Sequence, residues 1–134
     1  MFSQLPRFAS AHLFVMVIYS MTFAAEEPAP TPPGKKLGLL LSTRAGQAGF
    51  EHGLRLAETA LEEGVDVYLY CIDDAVHELN HPRLQTMRGK GLKLYACAYG
   101  AQRRNLPLDG PAVYAGLTIV SDLIAATDRF VSFN

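Results

Sequence analysis

Four short stretches, Lys36–Ser42, Val65–Ile72, Leu92–Cys97 and Arg129–Phe133, are dense in aliphatic, β-branched or aromatic residues, and each is separated from the next by segments patterned for helix. The first, Lys-Leu-Gly-Leu-Leu-Leu-Ser, lacks the apolar–polar alternation of a half-wet strand and suits one buried on both faces. The second is rich in residues that favour a pleated surface. Between them Phe50, Gly53, Leu54, Leu56, Ala57, Ala60 and Leu61 recur at helical spacing, Glu51, Arg55, Glu58 and Glu62 take the other side, and Gly64 stops the helix. Strand alternating with helix admits few arrangements: parallel strands, right-handed crossovers, and helices on both faces. The expectation is a small three-layer α/β/α domain with a parallel sheet over residues 36–134.

The remaining segments fit that plan. Asp73 and Asp74 can cap a short helix over 74–80, which His81-Pro82 interrupts, and a further piece from Arg83 to Arg88 ends in Gly89-Lys90-Gly91. In the run 112–127, Val113, Leu117, Val120, Leu123 and Ile124 predict one long helix with Ser121 and Asp122 on its polar side. Such a helix is long for a chain this small and suits a subunit interface. A sheet of order 2-1-3-4 would hold the second and third strands about 10 Å apart. Cys71 and Cys97, at the ends of those strands, would then lie beyond disulfide reach, leaving Cys71 as a buried strand residue.

Residues 1–25 are different material. They carry Arg7 as their one Lys or Arg, an apolar run from Phe8 to Ala25, and a small-residue exit at Thr22-Phe23-Ala24, the three-part order of a secretory signal. An exported protein, periplasmic or membrane-anchored through this segment if it stays uncleaved, is the first reading; an unpatterned extension of a cytoplasmic protein from a misassigned start is the second. Residues 26–35, with Pro28, Pro30, Pro32 and Pro33, form an extended linker that cannot join a core. With 49% hydrophobic and 19% charged residues the chain is globular, and a formal net charge of −1 leaves no electrostatic footprint for nucleic acid.

In parallel sheets, groups at the carboxyl ends of strands converge on a crevice. That rule brings forward Cys97 and the turn after it, the loop with Ser42, Thr43 and Gly46, and Asp73 with Asp74. Cys97 stands where a strand passes into a helix, and the free N–H groups of a first helical turn favour thiolate over thiol. Ala98, Gly100 and Ala101 leave the sulfur room, and Arg103 and Arg104 add positive potential or cap the helix end. The plain alternative is a buried structural thiol. The loop 43–49 leads into a helix as phosphate loops do, but without the Gly-Lys-Ser/Thr ending or the dinucleotide glycine spacing. Asp73, His77 and His81 fall at i, i+4 and i+8, a spacing Pro82 disturbs, and His52 is a further residue that can line the crevice; no metal or cofactor is expected.

The stretch Cys97–Leu106, CAYGAQRRNL, resembles the cysteine-to-Arg-Arg segment of the DsrE/DsrF-like family, sulfur-relay proteins that include the D subunit of the Tus complex. The order of parts over residues 36–134 is similar as well: the small-residue first loop and alanine-rich helix, Asp73-Asp74-Ala75-Val76 after strand two, and the closing Arg129–Phe133. Two departures stand out, Asn105 where relatives often have Gly, and Arg44-Ala45-Gly46 where an aromatic residue before Gly is common. The resemblance implies a parallel α/β sheet, assembly into homo- or hetero-oligomers, and a persulfide carried on Cys97, taken from a donor protein and passed to an acceptor thiol. On the same resemblance Ala98, Tyr99, Gly100, Ala101, Arg103 and Arg104 form the anion-binding turn. Some relatives lack the cysteine, so a non-catalytic oligomeric subunit is the second reading, and a flavodoxin-like module binding flavin or phosphate at the 43–49 loop the third.

Overall fold

The structure is a computed structural model that describes residues 34–134. The apolar segment 1–25 and all but the last two residues of the 26–35 linker lie outside the described residues. Among the described residues no helix is long and apolar enough to cross a membrane.

Five parallel strands form one sheet: β1 (Lys36–Leu41), β2 (Asp66–Cys71), β3 (Lys93–Cys97), β4 (Val113–Ala115) and β5 (Arg129–Phe133). Their order across the sheet is β4-β3-β2-β1-β5. This corrects the expected order 2-1-3-4, because β2 pairs directly with β3. The order also decides where the helices go. Three successive right-handed crossovers stepping the same way must place their helical connections on one face, and the return to β5 on the opposite side of β1 must use the other. Accordingly α1 (Ala48–Glu62), the 3₁₀ turn Asp73–Glu78 with the residue after it, and α2 (Pro82–Gly89) supply Phe50, Leu54, Ala57, Ala75, Leu79, Leu84 and Met87 to a core over Leu39, Leu41, Leu69, Cys71, Leu94 and Ala96. On the second face α4 (Thr118–Ala126) brings Leu123, Ile119 and Val120 to Tyr70, Cys97, Leu40 and Phe130.

Residues 112–127 do not form the single helix predicted for them. Val113–Ala115 is strand β4, the chain breaks at Gly116-Leu117, and the helix begins only at Thr118. The helix-like spacing of Val113 and Leu117 is therefore coincidental; Val-Tyr-Ala pairs with Tyr95, Ala96 and Cys97. The expected helix over 74–80 is likewise a tighter 3₁₀ turn over Asp73–Glu78.

The two faces are covered unequally. Under α1 the principal side chains are fully buried, each Phe or Leu contributing about 1.5–3 kcal/mol. On the other face Tyr68, Tyr95 and Phe130 are only half-buried, and Val113, Leu117 and Ile124 are more than half exposed. Arg83 ties α2 to α1, with Nε and Nη2 each 2.8 Å from Glu58 and Nη1 2.8 Å from Glu51. The guanidinium holds the Glu58 carboxyl below its ordinary range.

Gly53 shows how close α1 lies to the sheet: a Cβ there would run into the Leu41 side chain, with Phe133 Cδ2 3.3 Å away. Alanine raises helix propensity by about 1 kcal/mol, whereas overpacking a closed core costs about 1–3 kcal/mol. Gly53→Ala is therefore expected to lower stability by about 1 kcal/mol net, read as a lower denaturant midpoint at unchanged slope.

Candidate functional site

Strand β3 ends on Cys97, which is also the N-cap of the six-residue helix α3 (Ala98–Arg103). The backbone at Cys97 is extended, and its Sγ accepts a hydrogen bond from the Gly100 N–H at 3.3 Å. A sulfur thus takes the place a Ser or Asp oxygen usually holds at a helix start. Gly100 leaves space beside it, since a Cβ there would stand 3.4 Å from the Cys97 Cβ and 3.5 Å from Sγ. Gly100 and Ala101 are buried against Val76 and the end of the sheet, which accounts for the small residues of this turn.

Cys97 is 2% exposed, and that opening faces a pocket of about 370 Å³. Ile72, Asp73, Tyr99, Gly100, Arg103, Arg104 and Leu117 complete its lining. Asp73 sits at φ 49°, in the left-handed region that few residues other than glycine and Asn/Asp enter, so the chain turns sharply as it leaves β2. Arg104 bonds the Gly100 carbonyl at 3.2 Å and Asp74 at 3.1 Å, which clamps the end of α3 to the 3₁₀ turn. Arg103 instead bonds the Tyr99 hydroxyl at 3.3 Å and lies over its ring at 5.9 Å. Asn105, at φ 53°, adopts the left-handed conformation that makes it an acceptable replacement for Gly.

The loop after β1 lies at the same edge but two strands away from Cys97, and Ser42, Thr43 and Gly46 are not among the pocket's lining residues. Ser42 bonds the Phe133 carbonyl and Asn134, at 3.3 and 3.1 Å. The Gly46 N–H donates to the Glu51 carboxylate at 3.2 Å, and that backbone bond holds the carboxyl below its ordinary range. A phosphate would meet this fixed negative charge at the helix start, so the residues present do not fit one. Asp73, His77 and His81 also separate. Asp73 lines the pocket, whereas His81 caps α2 through Nδ1 and sets its ring 5.3 Å from that of Phe50. His52 is exposed on α1 and outside the pocket.

Cys71 and Cys97 are both free thiols. The strand order invoked to separate them does not hold, and the pleat does the work instead. Cys71 lies opposite Ala96, so Cys97, one residue on, points to the other face. Cys71 belongs to the α1-side core and Cys97 to the α4-side core. Burial, with the Glu78 charge adding to it, pushes the Cys71 thiol up to about 12. Sequence reasoning passed over Tyr70, Ile72 and Leu117. Ile72 is signalled by standing directly before Asp73, and Tyr70 by its parity with the strand end, but neither can be tied to Cys97 without the β2–β3 pairing.

The model of the DsrE/DsrF-like family matches residues 35–133. Six chains of solved structures match, among them the YchN protein from E. coli, whose crystal structure aligns at a TM-score of 0.63 and 16% identity over 75% of this chain and 99% of that one. At that identity the likeness speaks for the fold. No curated protein matches the sequence.

Two outcomes follow from the thiols' surroundings. Cys71 keeps its proton in the native state up to about 12 while an unfolded chain loses it from 9.0 upward, so unfolding releases a proton in that window. Stability should fall there by up to about 1.4 kcal/mol per pH unit. Cys71→Ala should flatten the slope of unfolding free energy against alkaline pH relative to wild type. Gly100→Ala should keep stability within about 1 kcal/mol yet slow modification of Cys97 by a bulky thiol reagent several-fold, because the new methyl fills the space beside Sγ.

Proposed function

The chain belongs to the DsrE/DsrF-like family, and from that premise we propose that it is a sulfur carrier in which Cys97 accepts a sulfane sulfur as a persulfide and passes it to a partner thiol. The observation that carries this reading is the Cys97 sulfur itself, set at a strand–helix junction, bonded by the Gly100 N–H and opening on a pocket. The Cys97 thiolate attacks the outer sulfur of a donor persulfide. The new S–S bond forms on Cys97, the donor's S–S bond breaks, and the donor leaves as a thiolate. An acceptor thiolate then repeats the exchange on the outer sulfur, so no external oxidant or reductant is consumed.

The Gly100 N–H, fixed by α3, stabilises negative charge on sulfur without reorganising. Arg104, neutralised by Asp74, acts mainly as a clamp, whereas Arg103 extends with Tyr99 at the pocket rim and is placed to meet an anionic donor. Tyr99 and Leu117, 63% and 56% exposed, are suited to docking a donor or acceptor protein or another subunit. The near-complete burial of Cys97 favours the second reading, a non-catalytic oligomeric subunit.

Intact mass after incubation with a sulfane-sulfur donor separates the two. Wild type should gain the mass of one sulfur atom, removable by reductant, and Cys97→Ser should not; equal masses for the two proteins would leave only the non-catalytic reading.

A further inference from the structure

Among the described residues Tyr70 is the largest side chain buried to completion, yet it ends in a hydroxyl. It lies on β2 opposite Tyr95, on the face that also carries Cys97. Its hydroxyl does not bond within its own strand pair. It crosses β3 and donates to the Ala115 carbonyl on β4 at 3.2 Å. Ala115 is the residue paired in register with Cys97. To reach it the phenol passes over the end of β3 where Cys97 projects, and the two side chains belong to one buried cluster.

We propose that the Tyr70 hydroxyl is a positioning group for Cys97, turning from the Ala115 carbonyl to donate to the sulfur once the thiol has lost its proton. This deepens the carrier reading and rests on Cys97 being its reacting thiol. A phenol has one proton to donate and its rotor is free to choose between acceptors. While sulfur is a neutral thiol the carbonyl is the better acceptor; an anionic sulfur reverses that preference, because hydrogen bonds to charged acceptors are the stronger ones. Burial, and next the Cys97 side chain, hold the phenol's own ionisation well above its ordinary range, which keeps Tyr70 a hydrogen-bond donor. Together with the Gly100 N–H this gives the sulfur two donors from different elements.

The test is Tyr70→Phe, which preserves the ring, in a full-length Cys71→Ala background so that one thiol is read. The rate of alkylation by iodoacetamide is followed against pH. The expected result is a rate about tenfold lower near neutrality and a curve displaced to higher pH with an unchanged alkaline plateau. A curve that stays in place, or one in which only the plateau changes, would overturn the proposal, since a purely structural tyrosine alters access but not ionisation. Where the variant fails to unfold cooperatively, ultraviolet resonance Raman spectra of the intact protein decide. The tyrosine hydrogen-bond marker bands should change as Cys97 ionises and should not change over the same range in Cys97→Ala; identical behaviour of the two would again refute it. Both readouts report on the thiolate, so they are independent of whether Cys97 goes on to take up sulfur.

Discussion

The pairing of β3 with β2 on one side and β4 on the other determines what surrounds the Cys97 sulfur. Because side chains alternate across a pleat, the register Cys71 to Ala96 sends the two thiols to opposite faces, and the register Cys97 to Ala115 places a backbone carbonyl beside the outward one. A slip of β3 by one residue would bury Cys97 under α1, on the same face as Cys71. That register is held by the buried set Leu69, Cys71, Leu94 and Ala96, which tolerates neither polar groups nor exposure. The site is thus defined by apolar packing on the side of the sheet away from it.

Much of this was legible from residue patterns. The strand Arg129–Phe133, the helix carrying Phe50, Leu54 and Ala57, and the junction at Cys97 each announce themselves locally, through β-branched and aromatic density, 3.6-residue spacing, and a cysteine followed by small residues. The strand order was not legible, since it depends on which way each crossover steps and no single segment encodes that. Strand β4 was hidden for a different reason. Three residues are too few to show a period of two, and Val113 with Leu117 happens to match a helical one. Of the loops expected along one edge, those at the ends of β2 and β3 line one pocket, whereas the loop after β1 lies at the end of β5, where Ser42 meets Phe133 and Asn134.

Charge around the site is arranged in near-balance rather than as a strong positive field. Asp74 neutralises Arg104 and Asp73 stands on the pocket wall, so the sulfur's local support comes from an oriented N–H more than from net charge. Oriented dipoles have an advantage for a carrier of the kind proposed. They are not screened by salt as exposed ions are, and they need not move when the charged atom shifts outward by one bond length as a persulfide forms. The clamp between Arg104, Asp74 and the Gly100 carbonyl helps keep that N–H in place by fixing the C-terminal end of a helix too short to hold itself.

On the proposed reading of Cys97 as a carrier, its sulfur must be sheltered from solvent oxidants and still meet two different partners. Here Cys97 is almost fully buried, with Gly100 beside it and Tyr70 in the same buried cluster, and its opening is flanked by Tyr99 and Leu117, both largely in water. Apolar groups at the rim of the pocket lower the cost of desolvating a partner's thiol as it arrives, while giving no stable closure in its absence. The face they belong to, with Val113 and Ile124 also exposed, is the one that α4 leaves partly uncovered. The uneven distribution of helices, forced by the order of the strands, therefore places the least covered surface of the domain on the same side as its one thiol that opens on a pocket among the described residues.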